Sequence, residues 1–405
     1  MKKGLKLVVT GGAGYVASSL LQTDSLRDNL SSLVATSLSE SLKDIWITDV
    51  ILIDKLSTPT LPEYPSDINV QYIQVDLTEP SYLYEVLKGV DVVYHLASYG
   101  MSGREQLHKA AIWKVNVEGT RNVIKACLHN NVKALIFAST VNVVFGGQRI
   151  DGGDETLPYF PSEQRPWDDY GNSKMLADQS VLQANGSVGD DGTTTLRTCV
   201  LRLPGIYGYK ERRHLPRVAA LMKQGLFKVK YGKNPIVEFI NVCNVTECLL
   251  LATRDLLQSQ SLAAGEAYFI SDGEPINNFE FFRPMTEVLN VPYPKVTLPM
   301  SLIFAIAFII ELVYKVLHPL YDFQPLLTRA EVYKTAQTHY FSIEKARKHL
   351  GYQPKNANDM KAIAEDYRVS PEVVVQGQSW TALFVNISLV FFITCIILSY
   401  LPIAG

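Results

Sequence analysis

The sequence predicts an α/β protein built as a doubly wound parallel sheet, and three observations carry that reading. A glycine turn follows the first apolar run, five further β-branched runs recur at helix-length intervals, and acidic or hydroxyl residues stand where those runs end.

The first element, "LKLVVTGGAGYVASSLL", reads as a strand from Leu5 to Thr10, a turn and a helix. Gly11 permits the tight turn, and Gly12 and Gly14 let the backbone approach a pyrophosphate at the helix N-terminus. Ala17 takes the place of a third glycine, and Tyr15 opens the helix beside the turn. The basic start "MKKG" before an apolar run has the look of a secretory leader. Glycines interrupt that run where a leader is continuous, so the segment is read as mature sequence.

The second strand, "VILID", ends at Asp54. A carboxylate there would accept hydrogen bonds from the adenosine ribose and repel a 2′-phosphate, so NAD is expected over NADP. Asp54 lies 40 residues beyond Gly14, where about 20 is usual. The serine-rich piece at about 24–44, "DSLRDNLSSLVATSLSESLKD", is the expected insertion, and Asp49 is the rival for the ribose role. Next come "VQYIQVDL", which places Asp76 at a third strand end, and "VDVVYHLAS", which places Leu96 and Ala97 at a fourth. "VKALIFAST" ends at Ser139 and Thr140, and "TCVLRLPGIYG" supplies a sixth strand. Such runs suit strands buried on both faces, with ligands bound at their carboxyl ends. His95 reads as a core histidine near the cofactor, and Arg202 and Arg104 as structural ion-pair residues.

Two stretches share one tyrosine-lysine spacing: "YEVLK" from Tyr84 and "YGNSK" from Tyr170. With 21 tyrosines in 405 residues the spacing alone decides nothing. Tyr84 falls on the helix after the third strand, away from any strand end, and reads as solvated surface. Tyr170 opens a helix after the long loop that leaves the fifth strand. A tyrosine and lysine one turn apart beside a hydroxyl at the sheet edge suit hydride transfer between alcohol and carbonyl. Tyr170 is then the general acid/base, and an adjacent ammonium together with a cationic nicotinamide should favour its phenolate. Lys174 also holds the nicotinamide ribose, and Thr140, with Ser139 as the alternative, orients the substrate oxygen.

The runs "SYGMSGREQL", "VNVVFGGQ", "LRTCVLRLPGIYG", "RRHLPR", "YFISDGEPINNFEFFRP", "FQPLLTRAEVYKT" and "THYFS" resemble the 3β-hydroxysteroid dehydrogenase/isomerase group of the extended short-chain dehydrogenases/reductases, over about residues 5–355. The resemblance implies a Rossmann fold, NAD, a steroid or sterol-like substrate, and catalytic places for Thr140, Tyr170 and Lys174. It also implies that Asn116 in "VNVEGT" supports the lysine, and it allows a homodimer. In "FINVCNV", Asn241 and Asn244 stand where relatives tend to carry histidine and aspartate. Two alternatives stay open: a nucleotide-sugar epimerase or dehydratase of the same fold, and an NAD-binding scaffold without turnover.

A formal net charge of -2, from 38 basic and 40 acidic side chains, gives no basic stripe for nucleic acid. The five cysteines are scattered outside zinc spacing, so no metal site or disulfide framework is expected. Residues 1–208 are expected to form the Rossmann domain. Residues 209–360 are expected to form a substrate lobe, with some segments returning to the Rossmann sheet. Within that lobe, the segment 296–320 has an uncharged core, Val296 to Ile310, shorter than a comfortable span and followed by Glu311 and Lys315, so an interfacial or lid segment is expected ahead of a second crossing. No charged residue follows Glu372, and "WTALFVNISLVFFITCIILSYL" is long enough at ~1.5 Å per residue to span a ~30 Å hydrocarbon layer. A transmembrane anchor at 376–402 is expected. It would be inserted after synthesis into the endoplasmic reticulum membrane, with the catalytic domain in the cytosol.

Overall fold

The structure is a computed structural model that describes residues 3–22, 45–57, 59, 62, 64, 66, 68–321, 323–355, 359–369 and 388. The expected serine-rich insertion and the expected anchor lie outside the described residues, apart from residue 388.

Seven strands run parallel in one sheet: β1 (Lys3–Thr10), β2 (Ile45–Asp54), β3 (Asn69–Gln74), β4 (Val92–His95), β5 (Ala134–Thr140), β6 (Arg197–Leu203) and β7 (Glu266–Phe269). Their order is β7-β6-β5-β4-β1-β2-β3. The chain therefore reverses direction between β1 and β4, where Thr10 pairs with His95. That reversal opens the crevice in which such sheets bind ligands. The first six strands fall on the six runs read from sequence. β4 stops at His95 rather than near Ser98, because the N–H groups of Leu96 and Ala97 donate to Thr10 Oγ1 at 3.1 Å each and leave the ladder.

The helices are α1 (Tyr15–Gln22), α2 (Pro80–Val86), α3 (Lys109–Trp113), α4 (Thr120–His129), α5 (Asp169–Gln183), α6 (Leu215–Lys223), α7 (Val242–Leu256), α8 (Arg283–Val288), α9 (Met300–Leu317), α10 (Arg329–Ala336), α11 (Glu344–Leu350) and α12 (Met360–Val369). Successive strand residues face opposite sides even where every residue is apolar. Leu7 and Val9 pack with Leu20, Leu249 and Leu250 of α1 and α7 on one face, and Val8, Val93 and Phe137 pack with Leu83, Val123 and Val181 of α2, α4 and α5 on the other. Burial of each such side chain contributes about 1.5–3 kcal/mol.

After β6 the chain builds a second layer and then returns: β7 pairs with β6, while 236–237, 276–277, 339–341 and 150–153 form a separate four-stranded sheet. α9 packs Ile303, Ala307, Ile310 and Tyr314 inward, whereas Leu302, Phe308, Leu312 and Val316 on its other faces are about half exposed or more (48%, 48%, 52% and 67%). Leu320, just beyond it, is 88% exposed.

Candidate active site

The phosphate turn closes as its residue types require. Gly11 has φ +72°, and a Cβ there would lie 3.0 Å from the Ala97 backbone. At Gly12 a Cβ would lie 2.6 Å from Leu52, so only glycine lets this turn sit on β2. Gly12 N–H donates to Ile53 O at 2.9 Å and Gly14 N–H to Gly11 O at 2.8 Å. Asp54, at the carboxyl end of β2, accepts the Ala13 N–H at 3.2 Å. Asp49 lies in the first half of that strand, held by Asn69 and Thr48, far from the crevice. Asp76 stands two residues past β3 and accepts the Thr78 N–H at 2.8 Å. Tyr15 leaves the turn for the loop after β6: its hydroxyl is buried, without a hydrogen-bond partner among the described residues, against Gly208, where a Cβ would come within 2.5 Å. Burial, with the Glu211 carboxylate adding, pushes its phenol up.

His95 is a structural histidine. Thr10 Oγ1 accepts two N–H groups, so its own proton goes to His95 Nδ1 at 2.8 Å. The ring proton then sits on Nε2 and faces Thr120 Oγ1 at 2.8 Å, and Thr120 in turn donates to Asn116 O. Burial, with Lys174 adding, pushes the imidazole down to about 3, so it stays neutral.

Asn116 lies in a π turn, Lys114–Gly119, between α3 and α4. Such turns are frequent at functional sites because the extra residue re-aims its neighbours. Its amide brackets the Tyr99 backbone, accepting from N at 2.8 Å and donating to O at 2.9 Å, and also donates to Ser173 Oγ at 2.9 Å. The expected support for Lys174 therefore reaches its neighbour Ser173, and no hydrogen bond to Lys174 is described.

Tyr170 and Lys174 lie on the first turns of α5, both buried. Lys174 Nζ donates to Ala138 O at 2.6 Å and sits 3.9 Å from the Phe137 ring centroid. Burial, opposed by Asp178, holds the ammonium down at about 7. In the protein's own field, burial, reinforced by Asp168, pushes the Tyr170 phenol up to about 12, against a hydrogen bond with Ser98 and the charge of Arg213. The protein's own groups do not make this phenol acidic.

The two hydroxyls of β5 separate cleanly. Thr140 Oγ1 accepts from Asn142 Nδ2 at 2.9 Å at the strand's open end. Ser139 Oγ instead donates to Asp178 Oδ2 at 2.7 Å, within a buried group in which Arg202 and Tyr159 also hold Asp178. Arg202 is thus a structural ion-pair residue. Tyr84 is half-buried, with its ring edge-on to His129 at 4.8 Å, while Lys88 pairs with Glu85. Asn241 caps α7 and Asn244 donates to Asp272, so both departures from the family pattern serve local structure.

Sequence reasoning missed a group that the distant helix α10 brings to Tyr170. Asp168 caps α5, accepting the Gly171 N–H at 3.0 Å, and also accepts the Tyr333 hydroxyl. Lys334 Nζ is 3.5 Å from Asp168 and 5.4 Å from the Tyr170 ring centroid. Arg165, fully buried, joins this aspartate to the Asn142 and Phe145 carbonyls. The capping-box spacing of Thr328 and Glu331 marks where α10 starts, but nothing local to it points at Tyr170. α9 closes over the same region: Phe304 meets Trp167 edge-on at 5.8 Å, and Glu311 binds Arg329 at 2.7 Å.

The model of the 3-beta hydroxysteroid dehydrogenase/isomerase family matches residues 8–300. Short-chain dehydrogenase/reductase family 42E member 1 of Danio rerio is 40% identical over 411 residues, covering 100% of this chain and 99% of that one. Sterol-4-alpha-carboxylate 3-dehydrogenase, decarboxylating, of Mus musculus is 34% identical over 286 residues, 70% of this chain and 76% of that one. The solved structure of a Thermus thermophilus UDP-glucose 4-epimerase in complex with NAD superposes with a TM-score of 0.60 at 19% identity, over 90% of this chain and 100% of that one, a likeness of fold alone. The side-chain-free cradle at Gly11 and Gly12, with the Asp54 carboxylate beside it, fits a dinucleotide. The chain belongs to the 3-beta hydroxysteroid dehydrogenase/isomerase family and is an NAD-dependent oxidoreductase of the short-chain dehydrogenase fold.

Proposed function

We propose that the protein oxidises the 3β-hydroxyl of steroids or sterols, with Tyr170 as general acid/base. The observation that carries this is an apolar cover, α9, whose Phe304 packs on Trp167 three residues before Tyr170, where α5 starts beside β5, the strand that ends in Thr140. An apolar lid suits a sterol skeleton and gives nothing to a nucleotide sugar. The 34% identity to a sterol dehydrogenase favours the same class.

Gly11, Gly12 and Gly14 would hold the pyrophosphate, Asp54 the adenosine ribose, and Asp76, Leu96 and Ala97 the walls of the crevice. Bound NAD supplies the hydride acceptor. Thr140 donates to the substrate oxygen and fixes it toward Tyr170. Tyr170, as phenolate, takes the hydroxyl proton as the carbonyl forms, and α9 keeps water out. Lys174 lends donors at the base of the site, and its Ala138 contact holds it in reach.

The half-exposed apolar face of α9 supports a place at a membrane surface, where such substrates concentrate. Among the described residues α9 is the one helix long and apolar enough to cross a membrane, but its ion pair with Arg329 and its buried inner face favour lying against lipid. The C-terminal segment 376–402 would anchor the chain, with the catalytic domain in the cytosol at the endoplasmic reticulum.

The test is a panel of 3β-hydroxysteroids, 4-carboxysterols and nucleotide sugars presented with NAD to the purified full chain, following NADH and also the sugar products, since epimerisation and dehydration regenerate NAD. The steroid or sterol classes should turn over, and Tyr170→Phe should lower kcat by about a hundredfold to ten-thousandfold. Turnover confined to nucleotide sugars would sink the steroid reading, and product from none of them would leave the scaffold alternative standing.

A further inference from the structure

A threonine hydroxyl has one proton to give and two positions at which it accepts. At Thr140, Asn142 fills both accepting positions: its backbone N–H donates to Oγ1 at 3.3 Å and its side-chain Nδ2 at 2.9 Å. The Thr140 proton itself has no acceptor among the described residues, although the side chain is buried. A buried donor without a partner is unfavourable, and an oxygen brought by a ligand would satisfy it.

Asn142 is held firmly in this place. It stands in the short turn Val141–Val143, which Thr140 caps. Its carbonyl accepts Arg165 Nη1, and Arg165, fully buried, also donates from Nε to Asn172 Oδ1 at 2.9 Å, two residues past Tyr170 on α5. One guanidinium therefore ties the turn that carries Asn142 to the helix that carries Tyr170.

We propose that Asn142 is a positioning residue that makes Thr140 a donor only toward substrate. This rests on the reading of Thr140 and Tyr170 given above. With both accepting positions of Thr140 filled, a substrate alcohol cannot give its proton to Thr140, and Tyr170 is the acceptor left to it. Once the alcohol has passed its proton to Tyr170 and its hydride to bound NAD, a carbonyl remains, whose oxygen only accepts and so matches Thr140. The Thr140 bond strengthens as negative charge builds on that oxygen, and a bond made stronger in the transition state than in the ground state raises kcat.

The experiment changes the side chain of Asn142 and keeps its backbone N–H and carbonyl, which hold Thr140 and Arg165. Asn142→Asp puts an acceptor of the same size where the donor stood, so it draws the Thr140 proton away from substrate. In the full chain, with the 3β-hydroxy compound that the panel above turns over fastest, kcat should fall about a hundredfold, as in Thr140→Val. KM for the alcohol should change little. A 3-ketosteroid of the same skeleton, followed by its effect on the fluorescence of bound NADH, should bind about tenfold more weakly. Asn142→Ala frees one accepting position on Thr140 and should lower kcat about tenfold. Both losses should vanish when Thr140 is already valine, because the effect passes through that hydroxyl.

An unchanged kcat in Asn142→Asp overturns the proposal, since the amide would then face Thr140 with its oxygen and the carboxylate would repeat that contact. Equal losses with and without the Thr140 hydroxyl overturn it too. Should Asn142→Asp lose NADH binding, Asn142→Ala decides by the same comparison. Loss of binding there as well overturns the proposal, because the side chain would then serve the fold alone. The two levels stay distinct: full turnover by Thr140→Val fails the reading of Thr140 itself, whereas a crippled Thr140→Val with silent or additive Asn142 variants fails only the role of Asn142.

Discussion

Ser139 Oγ donates to Asp178 Oδ2 at 2.7 Å, so the first of the two hydroxyls that end β5 belongs to the core, which leaves the second, Thr140, as the one proposed to meet substrate. Ser139→Ala removes a buried hydrogen bond to a charged group and should cost about 1.5–3 kcal/mol of stability. Turnover per folded molecule should stay near that of the parent. Thr140→Val should do the reverse, keeping the melting temperature and lowering kcat by about a hundredfold. Thermal melts and single-substrate kinetics on both variants check this, and interchanged outcomes would make Ser139 the substrate donor.

Asp54 and Asp49 lie on one strand and only Asp54 reaches the Gly-rich turn. Asp54→Ala should therefore relax the preference for NAD over NADP, while Asp49→Ala leaves the ratio of kcat/KM values unchanged. A ratio that moves only with Asp49→Ala would place the ribose at the wrong strand position.

Lys174 carries an ionisation penalty. Its folded-state value, about 7, is below the ordinary lysine value of 10.5, so in that interval the unfolded chain binds the extra proton. Stability from this group is therefore lowest below pH about 7 and is recovered as pH rises toward the unfolded value. Lys174→Met should stabilise the protein at neutral pH by on the order of a few kcal/mol, with the gain vanishing in alkali, while NADH binding weakens. Urea melts of both proteins from neutral to alkaline pH give the comparison, and a destabilised Lys174→Met at neutral pH would contradict it.

The outer face of α9 should matter only where the substrate is in lipid. Leu312→Lys with Val316→Lys replaces half-exposed apolar residues, so folding and activity toward detergent-dispersed steroid should stay the same. Vesicle binding and turnover of vesicle-borne steroid should fall about tenfold or more, as the buried apolar area is lost. Equal loss in detergent and vesicles would mean that the helix serves the fold instead of the membrane.

The strands were legible because residues buried on both faces write themselves as β-branched runs, and the phosphate turn was legible because a Cβ at Gly12 would strike Leu52. Tyr170 and Lys174 could be chosen over Tyr84 and Lys88 by their place after β5. The burial of Tyr170 was not legible, and in the protein's own field that burial, with Asp168 adding, pushes the phenol up. Asp168 has the residue type of a helix cap, but its bond to Tyr333 spans 165 residues and leaves no local trace. The π turn that carries Asn116 and its bond to Ser173 also left no signal in the sequence.

That long-range bond also sets an order of events during synthesis. Strands β1 to β6 and the dinucleotide turn leave the ribosome before α10 has been made, and domains condense from the N-terminal side as they emerge. The glycine turn is therefore made while Asp168 still lacks Tyr333 and Lys334. Contacts of such wide sequence separation form late, since closing the long loop comes first. A chain stalled short of α10 would therefore lack both the α10 contacts to Asp168 and the Ile343, Ala346 and Leu350 side chains that pack one face of the sheet.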